Sequence, residues 1–143
     1  SSKNKEKIYI KCIESIKSTS ESNKLKFISK LLFESFDNWI FCGFYFQEND
    51  KLLVSEYSAN KIPCSPIEFN GVCGTAILKN KILNIEDVNT FQGHIVCDND
   101  SKSELCIPFD IDGIKYVLDV DSNIYNAFCE IDEKYLVKII KEF

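Results

Sequence analysis

The sequence predicts an α+β fold, in which a central, mainly antiparallel sheet is covered by helices from the N-terminal and C-terminal ends of the chain. Apolar residues recur at helical spacing at both ends of the chain, whereas the middle shows short apolar runs separated by turn residues. No repeat or linker interrupts the 143 residues. We therefore expect one domain over residues 1–143, large enough to bury a core without a disulfide.

Three segments have the spacing of amphipathic helices, one near the start, one after the polar stretch 18–23, and one from about Ile131. Residues 1–7 are polar, which predicts a flexible start without a signal peptide. The amphipathic first and last helices could pack on the sheet or serve in a homodimer. Their apolar faces, with that of the second helix, comprise Tyr9, Cys12, Ile13, Ile16, Leu25, Ile28, Leu32, Phe36, Tyr135, Leu136, Ile139 and Ile140.

Strands are predicted between these helices. The first of them is aromatic and apolar on both faces, which is typical of a central strand covered on both sides. It forms a hairpin with the second, and the third completes a βαβ-like middle before a further hairpin. The predicted strands are Trp39–Phe46, Lys51–Tyr57, Lys81–Ile85, Glu104–Phe109 and Ile114–Asp121.

Composition excludes several classes of protein. The net charge is −5 and no basic stripe occurs, so nucleic acid is not an expected partner. No apolar run approaches the roughly 20 residues of a membrane helix. The seven cysteines are an odd number without Cys-x2-Cys spacing, and there is one histidine. This pattern suits neither a secreted disulfide scaffold nor a zinc site, and we expect no metal, no bound cofactor and a reducing, cytoplasmic location.

The cysteines differ in their local surroundings. Cys12, Cys42 and Cys106 lie in apolar helices or strands and are predicted to be core residues. Cys64 lies in a loop between two prolines, where packing and a functional role both remain open. Cys97 lies in a polar, charged loop, so its thiol is predicted to be accessible and functional.

Charged neighbours act on the Cys97 thiol in both directions. His94 and Lys102 would stabilise a thiolate, whereas Asp98 and Asp100 would disfavour it. The single histidine, His94, could support catalysis or only hold the loop by backbone hydrogen bonds.

Cys73 lies in Gly71-Val-Cys-Gly74, which is predicted as a strand-to-helix junction. Thr75–Lys79 is predicted as a short helix that Asn80 ends. The unpaired amides at the start of a helix favour a thiolate or a bound anion, although two glycines also occur in many tight turns.

Three carboxylates follow the loop of Cys97. Asp119 and Asp121 share one strand face, opposite Leu118 and Val120, while Glu104 points away from the inward-facing Leu105. Adjacent carboxylates repel each other, which raises the pKa of at least one unless a cation lies between them. They could grip a substrate ammonium or donate a proton, or they could mark a solvated strand end.

Together these motifs resemble the free methionine-(R)-sulfoxide reductases, single-domain proteins of the GAF fold, and the resemblance spans nearly the whole chain. The order of the motifs carries the resemblance more than any single one. The motifs are Asn38-Trp39, Gly43-Phe-Tyr45, Gly71-Val-Cys-Gly74, Gly93-His-Ile-Val-Cys-Asp98, Ser101-Lys-Ser-Glu104 and Val117-Leu-Asp-Val-Asp-Ser122.

The resemblance implies a role for each matching residue. Cys97 would be the catalytic cysteine, Cys64 the resolving cysteine that forms a disulfide with it, and Cys73 an auxiliary or alternative resolver. Thioredoxin would reduce the disulfide as an external partner. The residues implied in binding free methionine sulfoxide are Glu104, Asp119, Asp121 and, as an aromatic wall, Trp39. A GAF sensor that binds a small ligand without turnover, and a redox switch that uses Cys64 and Cys97, are the alternatives.

Overall fold

The computed structural model describes residues 2–93 and 97–143, and these form four α-helices, five strands and a short 3-10 turn. The helices are α1 (Ser2–Ser18), α2 (Lys24–Ser35), α3 (Val72–Lys79) and α4 (Glu130–Ile140). The strands are β1 (Trp39–Glu48), β2 (Lys51–Ala59), β3 (Leu83–Ile85), β4 (Ser103–Ile111) and β5 (Ile114–Ser122).

The five strands form one sheet in the order β2-β1-β5-β4-β3, and every neighbouring pair is antiparallel. This arrangement confirms the predicted α+β class and the central place of β1, whose residues 39–45 are buried. The predicted βαβ-like middle joins the two outer strands, β2 and β3. The connection between them therefore crosses one face of the sheet, and it carries Cys64, Cys73 and α3.

The opposite face of the sheet, which we call the helical face, packs against α1, α2 and α4. Most of the core residues predicted on these helices are buried there, including Cys12, while Ile13 and Leu25 are only partly buried. Cys42 of β1 is buried on the same face, as predicted. The apolar faces of α1 and α4 are thus packed within the chain, and the homodimer stays a prediction. Within the described residues, no helix is long and apolar enough to cross a bilayer.

Residues 2–7 are the first turns of α1, so the prediction of a flexible start is wrong for them. The reason is an ionic contact with the far end of the chain. Lys5 Nζ lies 2.6 Å from Asp132 Oδ2, and the Asp132 side chain is fully buried. Asp132 also accepts hydrogen bonds from the Tyr9 hydroxyl at 2.5 Å and from the Cys129 amide at 2.8 Å. No local pattern in the sequence indicates a contact between two residues as far apart along the chain as Lys5 and Asp132.

Replacing Asp132 with alanine is expected to lower the free energy of unfolding by about 3 kcal/mol, because the buried Tyr9 hydroxyl would lose its acceptor and Lys5 would lose its ion pair. Urea unfolding would measure the change. Glu130→Ala, at an exposed position in the first turn of the same helix, is the matched control. Equal stability of the two variants would contradict the role given to this contact.

The short helix α3 begins at Val72, three residues earlier than predicted, because Gly71 occupies the N-cap position. Asn80 ends the helix in the left-handed conformation, as predicted. The amide of Lys81 still bonds to the carbonyl of Ala76, so β3 begins only at Leu83. The earlier start places Cys73 inside the first turn of α3.

Candidate active site

Four side chains from β4 and β5 meet on the sheet face that α3 covers, which we call the site face. The antiparallel register pairs Glu104 with Asp121 and Cys106 with Asp119. The alternate side chains point instead to the helical face, where they are part of the hydrophobic core; these are Leu105, Leu118 and Val120. The predicted orientation of the carboxylates is therefore confirmed, and the alternative of a solvated strand end is wrong for Glu104 and Asp119, which are 6% and 5% exposed.

Burial dominates the electrostatics of these carboxyl groups. It raises the pKa of Glu104 well above its ordinary value, and repulsion from Asp119 and Asp121 raises it further. Burial likewise raises the pKa of Asp121, followed by repulsion from Asp119. The pKa of Asp119 is also raised by burial, although hydrogen bonds to Glu104 and to two cysteines oppose the shift. Such a group of carboxyls holds protons more tightly than free carboxylates do.

Asp121 differs from the other two carboxylates in its hydrogen bonding. Its Oδ1 atom is buried and has no hydrogen-bond partner among the described residues, although the residue as a whole is only half-buried. Because an unpaired buried oxygen is costly, this atom marks a place where a ligand that donates hydrogen bonds would be stabilised.

Cys73 reaches the same cluster from α3. Its Sγ atom lies 3.5 Å from Cys106 Sγ and 4.0 Å from Glu104 Oε2. The hydrogen bond with Cys106 lowers the pKa of Cys73, but burial and repulsion from Asp119 outweigh it and raise the pKa to about 12. Cys73 is therefore a buried, protonated thiol at neutral pH, despite its position at the start of a helix.

Gly74 allows α3 to approach the preceding chain closely. A Cβ atom at this position would collide with the backbone of Phe69. Any larger residue would push α3 away from that segment and displace the Cys73 side chain from the sheet. The second glycine of the motif thus has a packing reason that the sequence did not reveal.

A disulfide joins Cys64 to Cys97, and their Cα atoms lie 5.7 Å apart. The pairing implied by the resemblance is therefore present in the structure. Three contacts hold the Cys64 loop on the sheet. The Tyr45 hydroxyl donates to the Cys64 carbonyl at 2.9 Å, the Val54 amide donates to Ser65 Oγ at 2.9 Å, and residues 52 and 67 form an isolated antiparallel bridge.

The disulfide lies at a cavity that also contains the three carboxylates and Cys73. The volume of this cavity is about 60 Å³. Its remaining walls are aliphatic, aromatic and basic. Other lining residues, which were not predicted from the sequence, include Ile40, Phe41, Tyr45, Lys61, Val72 and Ser101.

Lys61 is the only lysine among the described residues that lines the cavity. Its Nζ atom lies 3.3 Å from Asp98 Oδ1 and 3.9 Å from Asp100 Oδ2. Lys102, which was expected to act on the Cys97 thiol, instead places its ammonium 5.6 Å from the centre of the Tyr125 ring. The printed sequence has no arginine, so Lys61 provides the positive charge at this rim.

Trp39 and His94 are the two remaining residues that were predicted to belong to the site. Trp39 was expected to form an aromatic wall, and that prediction is wrong. Its side chain packs on the helical face of the sheet, where its ring stacks on that of Phe36 with 4.4 Å between the ring centroids. A register shift between Trp39 and Phe41 turns Phe41 to the site face, where Tyr45 also lies by ordinary alternation, and these two rings form part of the cavity wall. His94 lies outside the described residues, so its predicted supporting role stays a prediction.

The fold and this site define a class of protein, a GAF domain with a cysteine disulfide beside an acidic cavity. A solved GAF domain superposes with a TM-score of 0.86 at 29% identity, over 96% of this chain and 85% of that one. The free methionine-R-sulfoxide reductase of Neisseria meningitidis, in complex with its substrate, superposes with a TM-score of 0.85 at 28% identity, over 98% and 86% of the two chains. No family model matches the sequence.

A sequence relative identifies the family more closely. The free methionine-R-sulfoxide reductase of Escherichia coli (strain K12) is 39% identical over 116 residues, which are 80% of this chain and 70% of that protein. The chain belongs to the free methionine-R-sulfoxide reductase family and is an oxidoreductase of this kind.

Proposed function

We propose that the protein reduces free L-methionine-(R)-sulfoxide to methionine, with Cys97 as the nucleophile, Cys64 as the resolving cysteine and thioredoxin as the reductant. The observation that carries this proposal is the Cys64–Cys97 disulfide at a small cavity that contains three carboxyl groups. The named relatives support the choice of substrate. The absence of turnover would instead favour a GAF ligand sensor or a redox switch.

In the first step, the Cys97 thiolate attacks the sulfoxide sulfur. The oxygen then moves from the substrate sulfur to the cysteine sulfur as the bond between the two sulfur atoms breaks. The cysteine is thereby oxidised to a sulfenic acid, the substrate sulfur is reduced and methionine leaves. A proton on the sulfoxide oxygen makes this transfer easier. The raised pKa of Glu104 suits its carboxyl group to supply that proton.

In the second step, the Cys64 thiol attacks the sulfenic acid, forms the disulfide and releases water. A thioredoxin dithiol then attacks the disulfide and restores both thiols by exchange. The contacts that Tyr45 and Ser65 make with the Cys64 loop support this assignment, because they hold Cys64 within bonding distance of Cys97. Cys73 remains a proposed alternative resolver, although burial of its protonated thiol makes it the slower one.

The charges of the cavity suit a free amino acid. Its ammonium can pair with Asp121 and Asp119, and its carboxylate can pair with Lys61 at the rim. The methyl-sulfoxide end would lie against the rings of Phe41 and Tyr45. A residue inside a peptide has neither charge, so the same carboxylates would be left without a cation in the complex.

Thioredoxin-coupled NADPH oxidation tests this substrate assignment. We expect turnover of free methionine-(R)-sulfoxide and little turnover of the S epimer. Removing the ammonium by N-acetylation or the carboxylate by amidation is expected to lower kcat/KM by about tenfold or more each, since each removes a charged hydrogen bond. Equal rates with a blocked sulfoxide peptide would contradict the assignment.

A further inference from the structure

We propose that Cys73, Cys106, Glu104 and Asp119 form a binding site for Zn²⁺ at the floor of the cavity. Each residue offers one ligand atom, and the four atoms lie within 4.8 Å of one another. All four residues are buried. The site shares no residue with the disulfide, but it includes Glu104, Asp119 and Cys73, to which the proposed function also gives roles.

Four of the six separations between the ligand atoms are close to those around a tetrahedral ion, and the other two are no longer than 4.8 Å. Cys106 Sγ lies 3.5 Å from Cys73 Sγ, 3.5 Å from Glu104 Oε2 and 3.5 Å from Asp119 Oδ1, while Cys73 Sγ lies 4.0 Å from Glu104 Oε2. With Zn–S bonds of about 2.3 Å and Zn–O bonds of about 2.1 Å, ligands of a tetrahedral site lie roughly 3.3–3.8 Å apart. An ion can therefore enter with only small movements of the side chains.

The type of ligand selects the metal. Two thiolates with two carboxylates suit a borderline-soft ion such as Zn²⁺, whereas Mg²⁺ and Ca²⁺ require oxygen ligands alone. Sequence spacing could not reveal this site, because the expectation of no metal rested on Cys-x2-Cys patterns. The ligands come instead from three separate elements, with Cys73 on α3, Cys106 and Glu104 on β4, and Asp119 on β5.

A metal ion can reach the cluster through the cavity. Cys73, Glu104 and Asp119 line it, and Cys106 lies behind them as a fully buried residue. Cys106 is thus the ligand that can be removed with the least change to the cavity wall, which makes it the residue for the test.

The test is a Co²⁺ titration of the full chain with the Cys64–Cys97 disulfide intact, so that these two thiols cannot bind the ion. We expect one Co²⁺ per chain, with the charge-transfer absorption of thiolate ligands, and complete displacement by Zn²⁺. If disulfide formation is incomplete, the double variant Cys64→Ser/Cys97→Ser is titrated instead, because it lacks both of these thiols. The lack of a thiolate band in a folded chain would overturn the proposal.

Cys106→Ala is expected to lose the band and to weaken Zn²⁺ binding by at least about tenfold. Cys42→Ala is the matched control, since Cys42 is equally buried in a strand but lies on the helical face. Its binding is expected to equal that of the unchanged chain. If Cys106→Ala does not fold, Cys106→Ser keeps the side-chain volume and removes the thiolate. Unchanged Co²⁺ binding in a folded Cys106 variant would show that the ion binds elsewhere and would overturn the site.

Discussion

Replacing Cys97 with serine is expected to abolish methionine release even in a single turnover. A hydroxyl is protonated and weakly nucleophilic at neutral pH, so the rate should fall by at least about a thousandfold, which corresponds to about 4 kcal/mol in the barrier. The measurement is methionine released after mixing pre-reduced protein with free methionine-(R)-sulfoxide, without thioredoxin.

Cys64→Ser is expected to behave differently under the same conditions. Its first turnover should proceed, because Cys97 is unchanged, and the sulfenic acid should then accumulate for trapping by dimedone. Sustained turnover with thioredoxin should fall, since only the slower, buried Cys73 would remain as a proposed resolving cysteine. Cys129→Ser is the control for both variants, because Cys129 is an exposed free thiol outside the cavity. Single-turnover activity in Cys97→Ser would show that another residue is the nucleophile.

Replacing Asp121 with asparagine is expected to raise KM for methionine sulfoxide about 10- to 150-fold, as the loss of one hydrogen bond to a charged group predicts. The buried Oδ1 atom, which has no partner among the described residues, carries this expectation. Asp121 lines the cavity, where the substrate ammonium would be bound. Steady-state kinetics of NADPH oxidation would give KM and kcat separately.

The same substitution should not destabilise the fold. It removes one of three neighbouring carboxyl groups that repel each other, so the thermal midpoint is expected to stay equal or to rise. Lower activity together with unchanged stability would separate binding from unfolding. Asp110→Asn is the matched control, because Asp110 is exposed on β4 outside the cavity and pairs with Lys115 at 3.8 Å. An effect on kcat/KM no larger than in this control would contradict the role of Asp121.

Local periodicity was enough to predict most of the fold. The helical faces around Tyr9 and Leu136, and the alternation along β4 and β5, are fixed by side chains a few residues apart. Strand orientation then follows, which is why Glu104, Asp119 and Asp121 could be assigned to one face. The start of the chain was predicted wrongly, because the partner of Lys5 lies 127 residues away.

The site was only partly predictable for the same reason. Trp39 was assigned to it because strand alternation does not reveal a register shift, and such a shift turns Phe41 to the site face instead. Lys61 could not be recognised as a site residue from the sequence, since a lysine in a polar loop is usually solvated. Cys106 was correctly predicted to be buried, but its contact with Cys73 depends on how α3 crosses the sheet.

The sequence by itself determined the chemical groups and their immediate setting: an accessible cysteine, Cys97, in a polar loop, a pair of aspartates on one strand face, and a single α+β domain. These properties depend on spacing along the chain, because the regular geometry of helices and strands determines which side chains share a face. Only the tertiary structure decided which groups meet. Because the connection between the two outer strands crosses the sheet, it brings Cys64 to Cys97 and Cys73 to Cys106, pairs that no local pattern relates.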